Sequence, residues 1–112
     1  MDIVIEQKQN LIIITLNGRL DVSSADDVRQ KICGLMEEET HKSLIVRMND
    51  CDYVSSLGIR ALLVIAKMAK SKDIKLVFAA LNDEVYDVFE MTGFLNMLIC
   101  TSTIQEAERM FD

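Results

Sequence analysis

Two serines and a glycine in the stretch "YVSSLGIRALL", residues 53–63, carry the most specific chemistry in this sequence. Ser55 and Ser56 stand between a polar loop and a long apolar helix pattern. A hydroxyl at a helix start can serve as a cap, because its oxygen accepts an N–H group that has no partner within the helix. The same place suits a phosphate, since free N–H groups and the positive end of the helix dipole converge there. Ser56 is therefore read in two ways, as the cap of the following helix and as a hydroxyl that phosphorylation can switch. Asp21 is the second candidate, lying where a buried strand pattern gives way to a helix start. Its carboxylate reads either as a turn former or as a functional group.

The remaining reactive side chains point away from catalysis. His41 is the only histidine and lies in the polar connection "EEETHK". A catalytic base needs a nucleophile within hydrogen-bond reach, and none stands near it in sequence, so His41 reads as ordinary surface. Asp50 and Asp52 flank Cys51 and could share a magnesium ion. No phosphate-binding loop of the G-x-x-x-x-G-K-[ST] or G-x-G-x-x-G type accompanies them, so they read as a polar turn. Cys33, Cys51 and Cys100 are odd in number and widely spaced, which suggests neither a disulfide frame nor a zinc site. No catalytic residue, metal or cofactor is expected. Twelve basic against eighteen acidic residues give a net charge of −6. The nearest approach to a basic patch, Lys67, Lys70, Lys72 and Lys75, reads as a solvated helix end, so nucleic acid is not an expected partner. Most of Met36, Met48, Met68, Met91, Met97 and Met110 are expected to fill the core.

These residues must be positioned by a regular alternation of elements. The runs 2–6 and 11–16 read as a hairpin, the second being apolar on both faces as a central strand would be. Ser23 or Ser24 can cap a helix whose apolar residues Ala25, Val28, Ile32, Leu35 and Met36 recur at helical spacing. Residues 43–48 and 74–81 read as buried strands, with a loop and a helix from about 57 to 71 between them. In that helix the apolar arc Ile59, Leu62, Leu63, Ile65, Ala66 and Ala69 is wider than one core contact needs, which suggests that part of it faces a partner. The polar stripe opposite is narrow: Arg60, Lys67 and Ser71. Asn82 caps a short helix, "DEVYDVFEM", that Gly93 stops. "NMLIC" is a weak last strand, and Thr103 with Glu106 forms a capping box for a final helix.

The expected order is thus ββαβαβαβα, an α/β fold with helical crossovers. It amounts to a mixed, mostly parallel sheet of four to five strands with about four helices. The 112 residues contain no proline and no linker, so one domain over 1–112 is expected. "MDIVIEQKQN" does not read as a signal peptide, and no apolar run approaches the ~20 residues of a membrane span. No membrane insertion and a cytoplasmic location are expected.

Three segments in order resemble the STAS-domain anti-sigma factor antagonists of bacterial partner-switching systems. "NGRLDVSSADDVRQKI" is similar to the family's Gly-x-Leu-Asp segment and first helix. "LIVRMNDCDYVSSLGIRALL" is similar to its strand, loop and phosphoserine segment, and "VFEMTGF" to its short helix ending in Thr-Gly. The likeness covers nearly the whole chain and implies a single STAS-like domain. It implies that Ser56 is the phosphorylated serine, with Ser55 as rival. The family often has Asp-Ser-Ser-Gly there; here the order is Ser55-Ser56-Leu57-Gly58, without the acidic residue. It also implies a docking surface that includes Asp21, Ser55, Ser56, Leu57, Gly58 and Arg60. The implied partner is an anti-sigma factor that is a serine kinase of the histidine-kinase ATPase fold, with a serine phosphatase to reset the switch. This chain would then be substrate, not enzyme. The competing readings are a STAS scaffold or transporter-complex subunit that is never phosphorylated, and a small nucleotide- or lipid-binding module.

Overall fold

A computed structural model of the chain describes residues 1–39 and 42–111. His41 therefore lies outside the described residues. The order of elements is β1 (Asp2–Gln7), β2 (Leu11–Leu20), α1 (Ala25–Glu38), β3 (Ser43–Arg47), β4 (Cys51–Val54) and α2 (Ser56–Ser71). Then follow β5 (Leu76–Ala79), α3 (Asp83–Met91), a 3-10 turn at Phe94–Met97, β6 (Ile99–Thr101) and α4 (Ile104–Arg109). Among the described residues no helix is long and apolar enough to cross a membrane.

Strand β2 organises the sheet because its side chains are apolar on both faces. Ile12, Ile14 and Leu16 enter one hydrophobic cluster, and Leu11 and Ile13 enter the other. Period-two alternation sends neighbours to opposite faces, so a strand with no polar face must be covered on both. The sheet runs β1-β2-β3-β5-β6, antiparallel only between β1 and β2. The larger cluster takes Val28, Ile32 and Met36 of α1, Leu62 and Ile65 of α2, and Val85 and Phe89 of α3. Ala107 of α4 belongs to the smaller cluster on the other face. Each large aliphatic side chain buried this way contributes about 1.5–3 kcal/mol relative to exposure.

The expected fold class holds, with six strands and four α-helices. Several boundaries differ: β2, expected over 11–16, runs on to Leu20, and β5, expected over 74–81, spans only Leu76–Ala79. Residues 51–54, expected as loop, form β4, which pairs in parallel with the far end of β2 through Gly18, Arg19 and Leu20. No alternating apolar run announces this strand: only Cys51 and Val54 are buried, and Asp52 and Tyr53 are exposed. Asn96 and Met97, expected in the last strand "NMLIC", belong instead to a 3-10 turn over Phe94–Met97. There Phe94 packs edge-on against Phe89, with ring centroids 4.9 Å apart.

The methionines correct the expectation made for them. Met36 and Met48 are fully buried, but Met91, Met97 and Met110 are exposed, Met91 at 86%. Short elements near the C-terminus have too few covered positions to hold them.

Candidate functional site

The site is built where β2 leaves the sheet. Beyond Thr15, its last partner position on β3, β2 runs on to Leu20 and pairs with β4 from Gly18, with a register shift between Gly18 and Arg19. There the Ser55 N–H donates to the Leu20 carbonyl at 2.9 Å, so the start of α2 is tied to the end of β2. Gly58 is buried against this junction. A Cβ at that position would lie 2.6 Å from the Leu20 carbonyl oxygen and 3.1 Å from Val54 Cγ1. Only a residue without a side chain allows the first turn of α2 to rest on the backbone of β2.

The two serines divide the roles expected of Ser56 alone. Ser55, not Ser56, is the cap: its Oγ accepts the Gly58 N–H at 3.1 Å, with the extended backbone usual for that position. Ser56 is the first helical residue and is exposed. The physical reason is register. The helix opens with the Ile59 N–H donating to the Ser55 carbonyl at 2.9 Å, so Ser55 holds the cap position and Ser56 is already helical. Leu57 and Arg60 are exposed beside Ser56.

Asp21 follows Leu20 directly and is half-buried. Its Oδ1 accepts the Ser23 N–H at 3.0 Å and the Ser23 hydroxyl at 2.6 Å, and its Oδ2 stands 3.6 Å from Arg19 Nε. These hydrogen bonds from Ser23, with a smaller contribution from the Arg19 charge, hold the carboxyl below its ordinary pKa. Neither candidate serine caps α1 by its side chain. Ser24, at the cap position, accepts the Asp21 N–H at 3.1 Å and donates to the Arg19 carbonyl at 2.7 Å. Its hydroxyl thus closes the turn that leads from β2 into α1.

Between the first turns of α1 and α2 runs a groove of about 230 Å³ lined by Val22, Ala25, Asp26, Arg29, Leu57, Arg60, Ala61 and Val64. Val22, Leu57 and Val64 are its exposed apolar members, Val22 at 75%. Arg29 is bound to Asp26 at 2.6 Å, whereas Arg60 forms no ion pair among the described residues. Sequence reasoning missed Val22, Arg29 and Val64. Val64 did carry a signal, being an apolar residue inside the polar stripe of Arg60, Lys67 and Ser71. In the wide apolar arc of α2, Leu62, Ile65 and Ala69 are buried in the core, and Ile59, Leu63 and Ala66 are partly buried against it. Tyr53 was also missed; the Arg19 guanidinium lies 4.1 Å from its ring centre, so a cation covers an aromatic face next to Asp21.

The other reactive groups stay apart. Asp50 sits in the turn before β4 and Asp52 on the exposed face of that strand, while Cys51 between them is buried. Cys33, Cys51 and Cys100 are free thiols. No group of three or more His, Cys, Asp or Glu side chains suited to a metal ion occurs among the described residues.

The geometry defines an α/β domain whose exposed chemistry is a hydroxyl at a helix start beside an apolar groove. The same fold occurs in an anti-sigma factor antagonist from Mycobacterium paratuberculosis, at a TM-score of 0.86 and 14% identity over 96% of this chain and 91% of that one. It also occurs in the unphosphorylated anti-sigma factor antagonist SpoIIAA, at a TM-score of 0.73 and 15% identity over 96% and 94%. SpoIIAA of Bacillus has been solved in a phosphorylated form as well, and that structure matches at a TM-score of 0.72 and 17% identity over 99% and 100%. The STAS-domain family matches residues 2–107, and the chain belongs to that family. The anti-sigma-B factor antagonist of Bacillus subtilis is 26% identical over 98 residues, 88% of each chain.

Proposed function

We propose that this protein is an anti-sigma factor antagonist that binds its anti-sigma factor while Ser56 is unmodified and is released when Ser56 is phosphorylated. The observation that carries the reading is the contrast between the two hydroxyls. Ser55 is committed to the Gly58 N–H and half-buried, whereas Ser56 is exposed on the first turn of α2. Transfer of a phosphate to Ser55 would first have to free its half-buried Oγ from the Gly58 N–H. On Ser56 the phosphate would meet the positive end of the dipole, which favours an anion by roughly 0.3–1 kcal/mol. Relatives named as antagonists and the phosphorylated SpoIIAA structure support the same reading.

The docking surface comprises Ser56, Leu57 and Arg60 of α2, with Asp21 and the Val22 side of the groove. Ser55 and Gly58 act beneath it by fixing where α2 begins. The partner is an anti-sigma factor and serine kinase of the histidine-kinase ATPase fold, and a serine phosphatase restores the hydroxyl. The chain acts in the cytoplasm as substrate and binder, not as catalyst. A phosphate adds about −1.5 to −2 charges to a surface that must lose water on docking. A mismatch of about 2.8 kcal/mol would weaken binding a hundredfold.

The test is to recover the chain from its host with its bound proteins. Wild type, Ser55→Ala and Ser56→Ala are then incubated with the recovered kinase and ATP, and labelling and affinity are measured. Ser56→Ala is expected to bind, take no label and stay bound. If Ser56→Ala is labelled as fast as wild type, or labelled protein binds equally well, the assigned switch is wrong.

A further inference from the structure

We propose that the free edge of β1 pairs with β1 of a second copy of this chain, in one antiparallel register centred on Ile5. Among the described residues β1 pairs with β2 alone, so its other edge is open over six residues. Natural sheets blunt such edges with proline, lysine, a bulge or a very short strand. Here "DIVIEQ" carries two charges, Asp2 and Glu6, but neither proline nor lysine, its register to β2 is unbroken, and Val4 and Ile5 are exposed at 46% and 40%. The opposite edge strand, β6, is only three residues long.

The backbone fixes which groups are free. The Lys8 N–H donates to the Leu11 carbonyl at 2.7 Å, one step along the same register from the Gln7 and Ile12 pair. Direction alternates along an antiparallel strand, so the even-numbered residues of β1 address β2. Ile3, Ile5 and Gln7 therefore turn their N–H and C=O groups outward.

A twofold axis perpendicular to the sheet keeps both α1–α2 layers on one side and pairs residues of equal parity. Two central registers satisfy that condition. With Val4 opposite Val4 of the second copy, Asp2 faces Glu6, and like charges directly opposite are destabilising. With Ile5 opposite Ile5, Asp2 comes opposite Lys8 of the second copy, a lysine that within its own chain reaches Glu108 at 3.2 Å, and Ile3 faces Gln7. Every outward backbone group of Ile3, Ile5 and Gln7 then has a partner. Ile3 and Ile5 of both copies form one apolar strip on the face that carries α1 and α2, since β1 pairs Ile3 with Leu16 and Ile5 with Ile14. Charge matching and the fuller backbone pairing thus select the Ile5 register over the Val4 register, which would set Ile3 directly opposite Ile5, and the pairing is self-complementary, as a twofold interface requires.

Sedimentation velocity over a concentration series, with amide hydrogen exchange, tests the pairing. The wild type is expected to reach twice the 12.7 kDa chain mass. Over the same concentrations the amides of Ile3, Ile5 and Gln7, and not those of Val4 and Glu6, should gain protection. Ile5→Pro removes only an outward N–H, a place where edge strands tolerate proline, so it should keep the folded circular dichroism and lose the doubled mass. Ile5→Lys, which sets two ammonium groups face to face, should do the same. Oxidising a mixture of the Val4→Cys and Glu6→Cys chains should link residue 4 to residue 6 between copies, as identified by peptide mass. A wild type that stays at chain mass up to its solubility limit overturns the proposal, as do folded Ile5 variants that dimerise like the wild type. Val4→Cys linking mainly to itself overturns it too, since that is the rejected register.

Discussion

Gly58 and Leu20 stand in van der Waals conflict with any residue larger than glycine: a Cβ on the first would lie 2.6 Å from the carbonyl oxygen of the second. That carbonyl also accepts the Ser55 N–H. One backbone oxygen therefore fixes both the cap of α2 and the closeness of its first turn to Asp21. Gly58→Ala is expected to push the turn outward and to cost about 1–3 kcal/mol, the range for overpacking a tight site. Chemical denaturation measures the cost, and amide shifts confined to residues 20–24 and 54–60 would show that the junction moved. A variant as stable as wild type would mean that this approach is not needed.

The serines should separate by stability alone, without any partner. Ser55→Ala removes the acceptor of the Gly58 N–H and should cost about 0.5–2 kcal/mol, as lost caps do. Ser56→Ala, at an exposed first-turn position, should stay within about 0.5 kcal/mol of wild type. Urea unfolding of the two variants side by side checks this. The reverse order would return the cap to Ser56.

Asp21 should titrate below the ordinary carboxylate value of 3.8. Its folded pKa lies under the unfolded one, so the charged form is the one that folding favours. The stabilisation is complete above the unfolded value and disappears as pH falls through the lower folded value. Carboxyl-detected NMR titration reads the midpoint directly. Ser23→Ala, which removes the hydroxyl donor, should raise it toward 3.8. A midpoint unchanged in that variant would show that Ser23 is not the cause.

Cys100 should alkylate slowly. Burial pushes its thiol up to about 11 from an ordinary 9.0, because desolvation penalises the thiolate. At pH 8 its reactive fraction is then roughly a hundredfold below that of a free thiol with the ordinary value, each pKa unit being tenfold. The rate with iodoacetamide should keep rising about tenfold per pH unit toward pH 11. Fast labelling of Cys100 in folded protein at pH 8 would contradict that environment.

Much of the scaffold was written locally. Short continuous apolar runs gave β2 and β5, helical spacing gave α1 and α2, and Asn82 marked the start of α3, where its side chain accepts the Val85 N–H at 2.9 Å. The pattern was legible because burial of one face imposes a period that a single segment carries by itself. The role of Asn82 beyond the cap was not legible: its Nδ2 donates to the Cys51 carbonyl at 2.6 Å, across 31 residues. Strand β4 has no such period, since it exists only because the shifted end of β2 offers it a partner. Likewise the sequence narrowed the switch to two adjacent serines. Which one caps was decided by the tertiary contact of Gly58 with Leu20, which fixes where the helix starts and leaves the other hydroxyl in water. The groove of Val22, Leu57 and Val64 unites residues from two helices, and only their packing on one face of the sheet brings them together. Periodicity within a segment reports what that segment buries; the surfaces that segments build jointly are set by contacts between residues far apart in the chain.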